Sequence, residues 1–225
     1  MKRFNLIFFF PIFLFSTPSL DWIAQYLPSN PIIVEAGAHI GTDTQRMSAK
    51  WPNGTIYAFE PNPKLYPILQ KNSGGSSNIH TFCLALGNRI GMADFYISKP
   101  IEPNAPGDAS SSLFPPSKEH WRWSWIGFEE PISVLITTLD AWAEEHQVDH
   151  VDFLWLDMQG SEFQMLSACP EILKSVKVIQ TEYSKLPYYE GTVLFDDLTK
   201  WLSEKGFKIV YEESELHGDA IYLRF

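Results

Sequence analysis

The sequence predicts an α/β fold in which a mostly parallel sheet carries helices on both faces. Short apolar segments that suit buried strands alternate with helix-like segments from residue 28 onward. Seven such strand segments can be counted, and the last two lie close enough along the chain to pair as an antiparallel hairpin. The length of 225 residues suits one domain with a sizeable core.

The first half of the chain is predicted to supply three strands and two helices in alternation. The strand "PIIVEAG" stops at Gly37, and the helix-like "HIGTDTQRMSAKW" stops before Pro52 and Gly54. The strand "TIYAFEP" is broken by Pro61, and the helix-like "PKLYPILQKN" follows with an unfavourable Pro67. The segment "NIHTFCLAL" is predicted as a single third strand.

The second half of the chain is predicted to complete the sheet. The segments "VDFLWLDMQG" and "VKVIQTEY" are two further apolar strands, separated by one amphipathic helix over "SEFQMLSACPEIL". A helix over "LFDDLTKWLSEKG" is expected to end at Gly206. The segments "FKIVYEE" and "DAIYLRF" follow as the antiparallel terminal hairpin.

One region, residues 99–131, interrupts this alternation with six prolines between Pro100 and Pro131. An irregular stretch of this length in a compact domain is usually a lid or a binding loop, and we expect that role here. The tryptophans at positions 121, 123 and 125 have two readings. They either close the loop onto the core or form an aromatic wall that faces a substrate.

The N-terminus differs from the rest of the chain. Lys2 and Arg3 precede ten consecutive apolar residues and then the small-residue stretch "STPS". Ten residues are too few to span a bilayer, which takes about 20. We therefore predict residues 1–20 to be a signal-like or membrane-tethering segment and residues 21–225 to be the folded domain. An apolar helix packed on the domain is the alternative.

Charge and cysteine content exclude several functions. The net charge of -10 argues against a surface that follows nucleic-acid phosphates. The two cysteines, Cys83 and Cys169, make neither a disulfide framework nor a spaced metal site. No His, Cys and Asp cluster has convincing metal-ligand spacing, so the sequence predicts no metal.

The turn after the first strand, "IIVEAGAHIGTDT", is the strongest candidate for a ligand site. Ligands of open α/β sheets bind outside the carboxyl ends of the strands. The dinucleotide pattern G-x-G-x-x-G fails because His39 and Thr42 stand where its second and third glycines belong. No Lys-Ser or Lys-Thr follows, so the phosphate loop fails too. Glu60, 23 residues after Gly37, suits two ribose hydroxyls and would repel a phosphate. A nucleoside without phosphate is therefore predicted.

Seven motifs in sequence order resemble those of the FkbM-type methyltransferases, a branch of the class I methyltransferase fold. They cover the chain from about residue 31 to its end, and each is weak alone. The motifs are "VEAGAHIG", "IYAFEPNP", "LALGNRIGMADFYIS", "ASSSL", "TTLDAW", "FLWLDMQGSEFQML" and "VIQTEY". The resemblance implies a Rossmann-like class I methyltransferase fold with a seven-stranded sheet and S-adenosylmethionine as the cofactor.

The resemblance also implies roles for individual residues. The segment of residues 84–86 should flank the adenine, and Glu60 should bind the ribose. The implied cofactor-binding residues are Glu35, Gly37, Ala38, Gly41, Glu60, Pro61, Ala85 and Asp157. The implied substrate-binding residues are Ser111 and Gln159, and the aromatic-wall reading of the loop adds Trp121 as a substrate candidate. The candidate bases for an alcohol acceptor are Asp157, Glu162 and Glu182.

One position departs from the family pattern. Gln159 stands where the family has the glutamate of D-x-E-G, so a step that uses this acid is changed or lost. The expected activity is O-methylation of a hydroxyl on a sugar or small natural product. The alternatives are an inactive nucleoside-binding or regulatory module and an oxidoreductase, the latter opposed by the failed glycine pattern.

The expected partners and location follow from the same observations. We expect a small-molecule or carbohydrate acceptor, no nucleic acid, and membrane association through the N-terminal segment as an option. The methyl donor is made in the cytosol, whereas the N-terminus resembles an export signal or an anchor. A cytoplasmic and a membrane-associated location therefore both stay open.

Overall fold

A seven-stranded sheet is the centre of the fold in this computed structural model, which describes residues 19–102, 109–119 and 124–225. Within these ranges, two smaller groups of three and two strands accompany the large sheet. The strands are β1 (Ile32–Ala36), β2 (Thr55–Phe59), β3 (Ile79–Phe82), β4 (Ala85–Leu86), β5 (Gly91–Phe95), β6 (Ser98–Pro100), β7 (Ile126–Phe128), β8 (Ile132–Thr137), β9 (Phe153–Leu156), β10 (Val178–Ser184), β11 (Phe207–Glu212) and β12 (His217–Arg224). The α-helices are α1 (Leu20–Ile23), α2 (Thr42–Lys50), α3 (Tyr66–Ser73), α4 (Leu139–His146), α5 (Glu162–Ser167), α6 (Pro170–Leu173) and α7 (Phe195–Glu204).

The strand order of the large sheet is β11-β12-β10-β9-β1-β2-β3. β1 runs parallel to both of its neighbours, with Ile33 opposite Ile56 of β2 and Phe153 of β9. β12 runs antiparallel to β10 and β11, which makes β11 and β12 a hairpin. The predicted mostly parallel sheet and its terminal hairpin are confirmed. Strand order reverses between β1 and β9, and a ligand site is expected at this switch point.

Both faces of the sheet are covered, because successive side chains of a strand point to opposite sides. Ile33 packs in one buried cluster with Met47 and Trp51 at α2. The next residue, Val34, packs in a second buried cluster with Trp142 of α4 and with residues of α5, α6 and α7. These two clusters account for the near-continuous apolar composition of the central strands.

The prediction of a single third strand over residues 78–86 is wrong. Residues 79–82 pair with β2 at the edge of the large sheet, whereas residues 85–86 pair with β8 in the three-stranded sheet β4-β8-β5. The chain changes sheets because Ala85 has its own apolar partners, including Phe95 and Ile136. Local composition contains no sign of this second sheet.

Pro170 and Pro67 have opposite effects on the predicted helices. The predicted helix over residues 161–173 is divided into α5 and α6, because Pro170 lacks an N–H and restricts the residue before it, Cys169. Pro67 was expected to disturb a helix, but it lies in the first turn of α3, where its N–H is not needed.

The expected irregular region, residues 99–131, is partly regular. β6 pairs antiparallel with β7, so the two ends of the region are joined as a hairpin. Trp125 is 42% exposed. The described residues include neither Trp121 nor Trp123, so the predicted aromatic wall stays a prediction.

The predicted N-terminal segment lies almost entirely outside the described residues, which begin at Ser19. That serine caps α1, where its side chain accepts a hydrogen bond from the Trp22 backbone N–H. Within the described ranges, no helix has the length and apolar character needed to cross a membrane. The boundary at residue 20 and the tethering role stay predictions.

Candidate active site

A cavity of about 250 Å³ lies at the carboxyl ends of β1, β2 and β9, at the switch point of the sheet. It is lined by most of the residues that the sequence singled out. Those in the lining are Glu35, Gly37, Ala38, Glu60, Pro61, Ala85, Ser111, Asp157 and Gln159. Gly41, Glu162 and Glu182 are not part of this lining, and Trp121 lies outside the described residues.

The two glycines of the first turn are required by the fold itself. Gly37 has a φ of +89°, and a Cβ there would lie 1.8 Å from the backbone oxygen of Asp157. Gly41, at the N-terminus of α2, has a φ of +87°, and its Cβ would lie 2.8 Å from Leu69 Cδ1. What approaches the backbone at both positions is therefore another part of the protein.

Two buried glutamates end β1 and follow β2. Glu35 is 2% exposed and accepts a hydrogen bond of 2.5 Å from Thr44 Oγ1. Glu60 is 5% exposed, and its two oxygens accept from the backbone N–H groups of His39 and Asn62, each at 2.8 Å. Desolvation raises the pKa of Glu35 to about 8 and that of Glu60 to about 7. These hydrogen bonds hold the loop after β1 against the loop after β2.

Asp157, directly after β9, is the acid most open to the cavity. Desolvation deep in the cavity and the nearby charge of Glu182 raise its pKa well above the usual range. Water reaches Asp157 through the cavity, and a ligand that fills this space would desolvate the carboxyl further.

Gln159 connects two acids. It has a φ of +52°, and its Nε2 donates to Asp157 Oδ1 at 2.7 Å and to Glu182 Oε2 at 2.6 Å. Tyr189 Oη lies 3.2 Å from Gln159 Oε1. A glutamate at this position would place a third carboxylate between the two acids. The amide instead donates to both of them.

The other two predicted bases lie behind the cavity wall. Glu162 is 5% exposed, and its Oε1 accepts from the backbone N–H groups of Met158 and Gly160 at 2.9 and 3.2 Å. Desolvation raises its pKa to about 7. Glu182 contacts Gln159 on one side and His217 Nε2, at 2.7 Å, on the other. Asp157 is thus the candidate base that borders the cavity.

The serine run of residues 110–112 lies in the long loop of residues 99–131 and is hydrogen-bonded to this site. Ser111 Oγ accepts from the Ser98 backbone N–H at 3.0 Å, and Ser112 Oγ donates to the backbone oxygen of Gln159 at 2.8 Å. Tyr189 Oη donates its single proton to the Ser110 backbone oxygen at 2.7 Å, a shorter contact than that with Gln159 Oε1. The described part of the loop therefore covers the segment that carries Asp157 and Gln159.

Sequence reasoning missed three residues of this site: Trp155, Tyr189 and His217. Trp155 lines the cavity, and period-two alternation along β9 places it on the same face as Asp157. Tyr189 and His217 follow or begin strands and have no local motif. Only the pairing register of β10 and β12 brings His217 opposite Ser184.

The strand order and the likeness to a solved methyltransferase structure show the Rossmann-like class I methyltransferase fold, the fold class predicted from the sequence. A family model described as the methyltransferase FkbM domain matches residues 35–209. The chain therefore belongs to the FkbM methyltransferase family, and the predicted family and enzyme class are confirmed.

Individual relatives agree with this family. The chain is 31% identical to the 2-O-methyltransferase NoeI of Sinorhizobium fredii, over 72% of this chain and 67% of that protein. It is 26% identical to the methyltransferase sdnD of Sordaria araneosa, over 86% of this chain and 80% of that protein. The crystal structure of the methyltransferase FkbM from Methylobacillus flagellatus superposes with a TM-score of 0.54 at 11% identity. That match covers 87% of this chain but 44% of the other, and it shows the fold alone.

Proposed function

We propose that the protein transfers a methyl group from S-adenosylmethionine to a hydroxyl oxygen of a sugar or small natural product. The observation that carries this proposal is the charge of the cavity. Four carboxylates line it, from Glu35, Asp43, Glu60 and Asp157, and none of the described residues in the lining is Lys or Arg. Such a lining disfavours a phosphate, and a cationic ligand would lower the raised pKa values of Glu35, Glu60 and Asp157 and so favour their charged forms.

The cavity residues fit the parts of this cofactor. Glu60 uses one acceptor position on each oxygen for the backbone, and a carboxylate has about four such positions, so ribose hydroxyls can still bind. Ala85, Leu86 and Phe59 provide an apolar wall for the adenine. Glu35 and Asp157 face the cationic methionine end, whose charge would lower their raised pKa values and favour the ionised carboxylates.

Methyl transfer requires only a few functions of the protein itself. The cofactor supplies a methyl group that its sulfonium already activates. The chain has to align the acceptor with that methyl group and exclude water, and the loop that carries Ser111 and Ser112 covers the site for this purpose. Asp157 is placed to take the proton of the acceptor hydroxyl.

The acceptor class rests on relatives and composition. The name of NoeI specifies 2-O-methyl transfer, which supports an oxygen acceptor here. The net charge of -10 argues against nucleic acid. Gln159 is the one feature that favoured an inactive module. Its bonds to Asp157 and Glu182 are compatible with an intact site.

The first test is calorimetric titration of the full chain with S-adenosylhomocysteine, with NADH as the control ligand. We expect micromolar binding of the former and none of the latter. Incubation with methyl-tritiated S-adenosylmethionine and a panel of glycosides and hydroxylated natural products then tests transfer. Binding without transfer to any member would favour the inactive module, whereas NADH binding would favour an oxidoreductase.

A further inference from the structure

Four side chains form a continuous contact path from the cavity towards solvent. Gln159 Nε2 donates to both Asp157 Oδ1 and Glu182 Oε2, at 2.7 and 2.6 Å, and so holds the two carboxyls next to each other. Glu182 Oε1 is 2.7 Å from His217 Nε2, and His217 Nδ1 is 2.8 Å from Ser184 Oγ. We call Asp157, Glu182, His217 and Ser184 the proton path.

The strands themselves hold this path in place. Glu182 and Ser184 are two residues apart on β10, so they point to the same face of the sheet. His217 is the residue of β12 directly opposite Ser184. The ring therefore bridges two side chains of the neighbouring strand, and both of its nitrogens have partners.

The surroundings of His217 favour a ring that gains and loses a proton. Its side chain is 22% exposed, so it can exchange protons with water. Glu182 and Ser184 face it from β10, and the Tyr188 ring lies 5.7 Å away edge-on. The further charged groups near it are Asp157, Glu162, Glu213 and Asp219.

The pKa values of Glu182 and His217 are shifted in opposite directions, and each shift favours the neutral form of the group. Burial raises the pKa of Glu182, and the charges of Glu162 and Asp219 raise it further. Burial lowers the pKa of His217 against the opposite effect of the surrounding carboxylates. These directions favour one shared proton on the Asp157–Glu182 pair, which Gln159 holds together, beside a neutral imidazole.

We propose that His217 is a positioning residue of the transfer reaction, which orients Glu182 and takes up the proton that the acceptor hydroxyl releases. This inference rests on the proposed O-methyl transfer. It also explains the departure at Gln159, whose amide holds the two carboxyls together where a third acid would repel them.

The step balances in atoms and charge. The acceptor oxygen bonds to the methyl carbon while the carbon–sulfur bond breaks, and the electron pair of that bond stays on sulfur. The acceptor proton passes to the Asp157–Glu182 pair, and Glu182 passes one proton to Nε2 of His217. One positive charge disappears at sulfur and one appears on the imidazole, so the net charge of the site is unchanged. His217 then returns its proton to water.

The test is an NMR titration of the full chain labelled with ¹⁵N-histidine, in which the midpoint of His217 is followed with pH. Glu182→Gln removes the charge next to the ring, so the midpoint should fall. Asp157→Asn leaves the shared negative charge wholly on Glu182, so the midpoint should rise. Each shift should reach at least about 0.5 pH unit. His80, on β3 at the far edge of the sheet, is the internal control.

A second measurement needs no variant. In the unaltered protein, the cation of S-adenosylmethionine draws the shared negative charge towards Asp157, so the His217 midpoint should be lower than with S-adenosylhomocysteine. A His217 midpoint that does not respond to Asp157→Asn or to the cofactor charge overturns the proton path and leaves the proposed function standing. Failure of S-adenosylhomocysteine to bind overturns the proposed function, and with it this role of His217.

Discussion

Backbone strain is concentrated at single residues of the cavity. Three non-glycine residues of the described chain have a positive φ, and two of them, His39 and Gln159, line the cavity. Gly37, which also lines the cavity, has a positive φ as well. Such residues persist only where their surroundings hold them. Here the hydrogen bonds to Glu60, Asp157 and Glu182 do so.

The first prediction concerns close approach at Gly37. Gly37→Ala should destabilise the protein by roughly 2–4 kcal/mol, because its Cβ would overlap the Asp157 carbonyl oxygen. Gly206→Ala is the matched control, since Gly206 has nearly the same φ, +88°, but no neighbouring atom within 4 Å. That variant should lose about 1 kcal/mol from backbone strain alone. Urea unfolding measures both, and equal losses would show that the contact does not matter.

The second prediction concerns Glu60. Glu60→Ala should weaken S-adenosylhomocysteine binding by about 1–3 kcal/mol, because ribose hydroxyls and two backbone N–H groups lose their acceptor. Calorimetric titration measures the change. Glu204→Ala, at an exposed position of α7, is the control and should bind normally. An unchanged affinity in Glu60→Ala would remove this residue from ribose binding.

At the scale of elements, the segment between β9 and α5 is held from three directions. Glu162 of α5 accepts two of its backbone N–H groups, Ser112 reaches it from the long loop, and Tyr189 reaches it from the segment after β10. Two of these three elements, the loop with Ser112 and the segment with Tyr189, are distant in sequence from the segment that they hold. A substitution that removes any one of these contacts should alter the position of Gln159.

The third prediction tests the connection through Tyr189. Tyr189→Phe removes the hydroxyl that donates to the Ser110 backbone oxygen, so amides of residues 109–117 should exchange faster with deuterium. Tyr222→Phe is the matched control, because that hydroxyl contacts Thr199 between β12 and α7. It should leave exchange in the loop unchanged. Unaltered exchange in Tyr189→Phe would mean that other contacts hold the loop.

At the scale of the whole molecule, buried acid is the main electrostatic feature. The chain carries a net charge of -10, and several of its acids are buried beside one another at one end of the sheet. Their pKa values are raised, with Glu35 near 8, Glu60 and Glu162 near 7, and Asp219 near 6. The folded protein therefore binds more protons near neutrality than the unfolded chain does.

The fourth prediction follows from this difference in bound protons. An acid with a raised folded pKa favours folding below its ordinary value, 4.5 for Glu35, and loses that contribution as pH rises through about 8. The melting temperature of the ligand-free protein should therefore fall from about pH 6 to about pH 8. Glu35→Gln keeps an acceptor for Thr44 and removes the ionisation, so the decline should be shallower. An equal slope in both proteins, by differential scanning calorimetry, would contradict the role of Glu35.

Much of the fold could be predicted from local pattern, and less of the site. Apolar runs and glycine stops identified the strands of the large sheet, but residues 85–86 belong to a second sheet that only their tertiary partners reveal. At the site, Glu35 and Glu60 stand at strand ends, where sequence position predicts a ligand site. His217 stands at the start of a strand with no motif around it.

The sequence by itself determined the alternation of strands and helices, the glycine turn and the acids at or just after the carboxyl ends of β1, β2 and β9. These depend on backbone conformation and side-chain chemistry within a few residues. The tertiary structure alone decided that Gly37 makes room for Asp157, that Gln159 joins two carboxyls, and that His217 contacts Glu182. Those contacts depend on strand order and register, which come from burial of apolar surface across the whole domain.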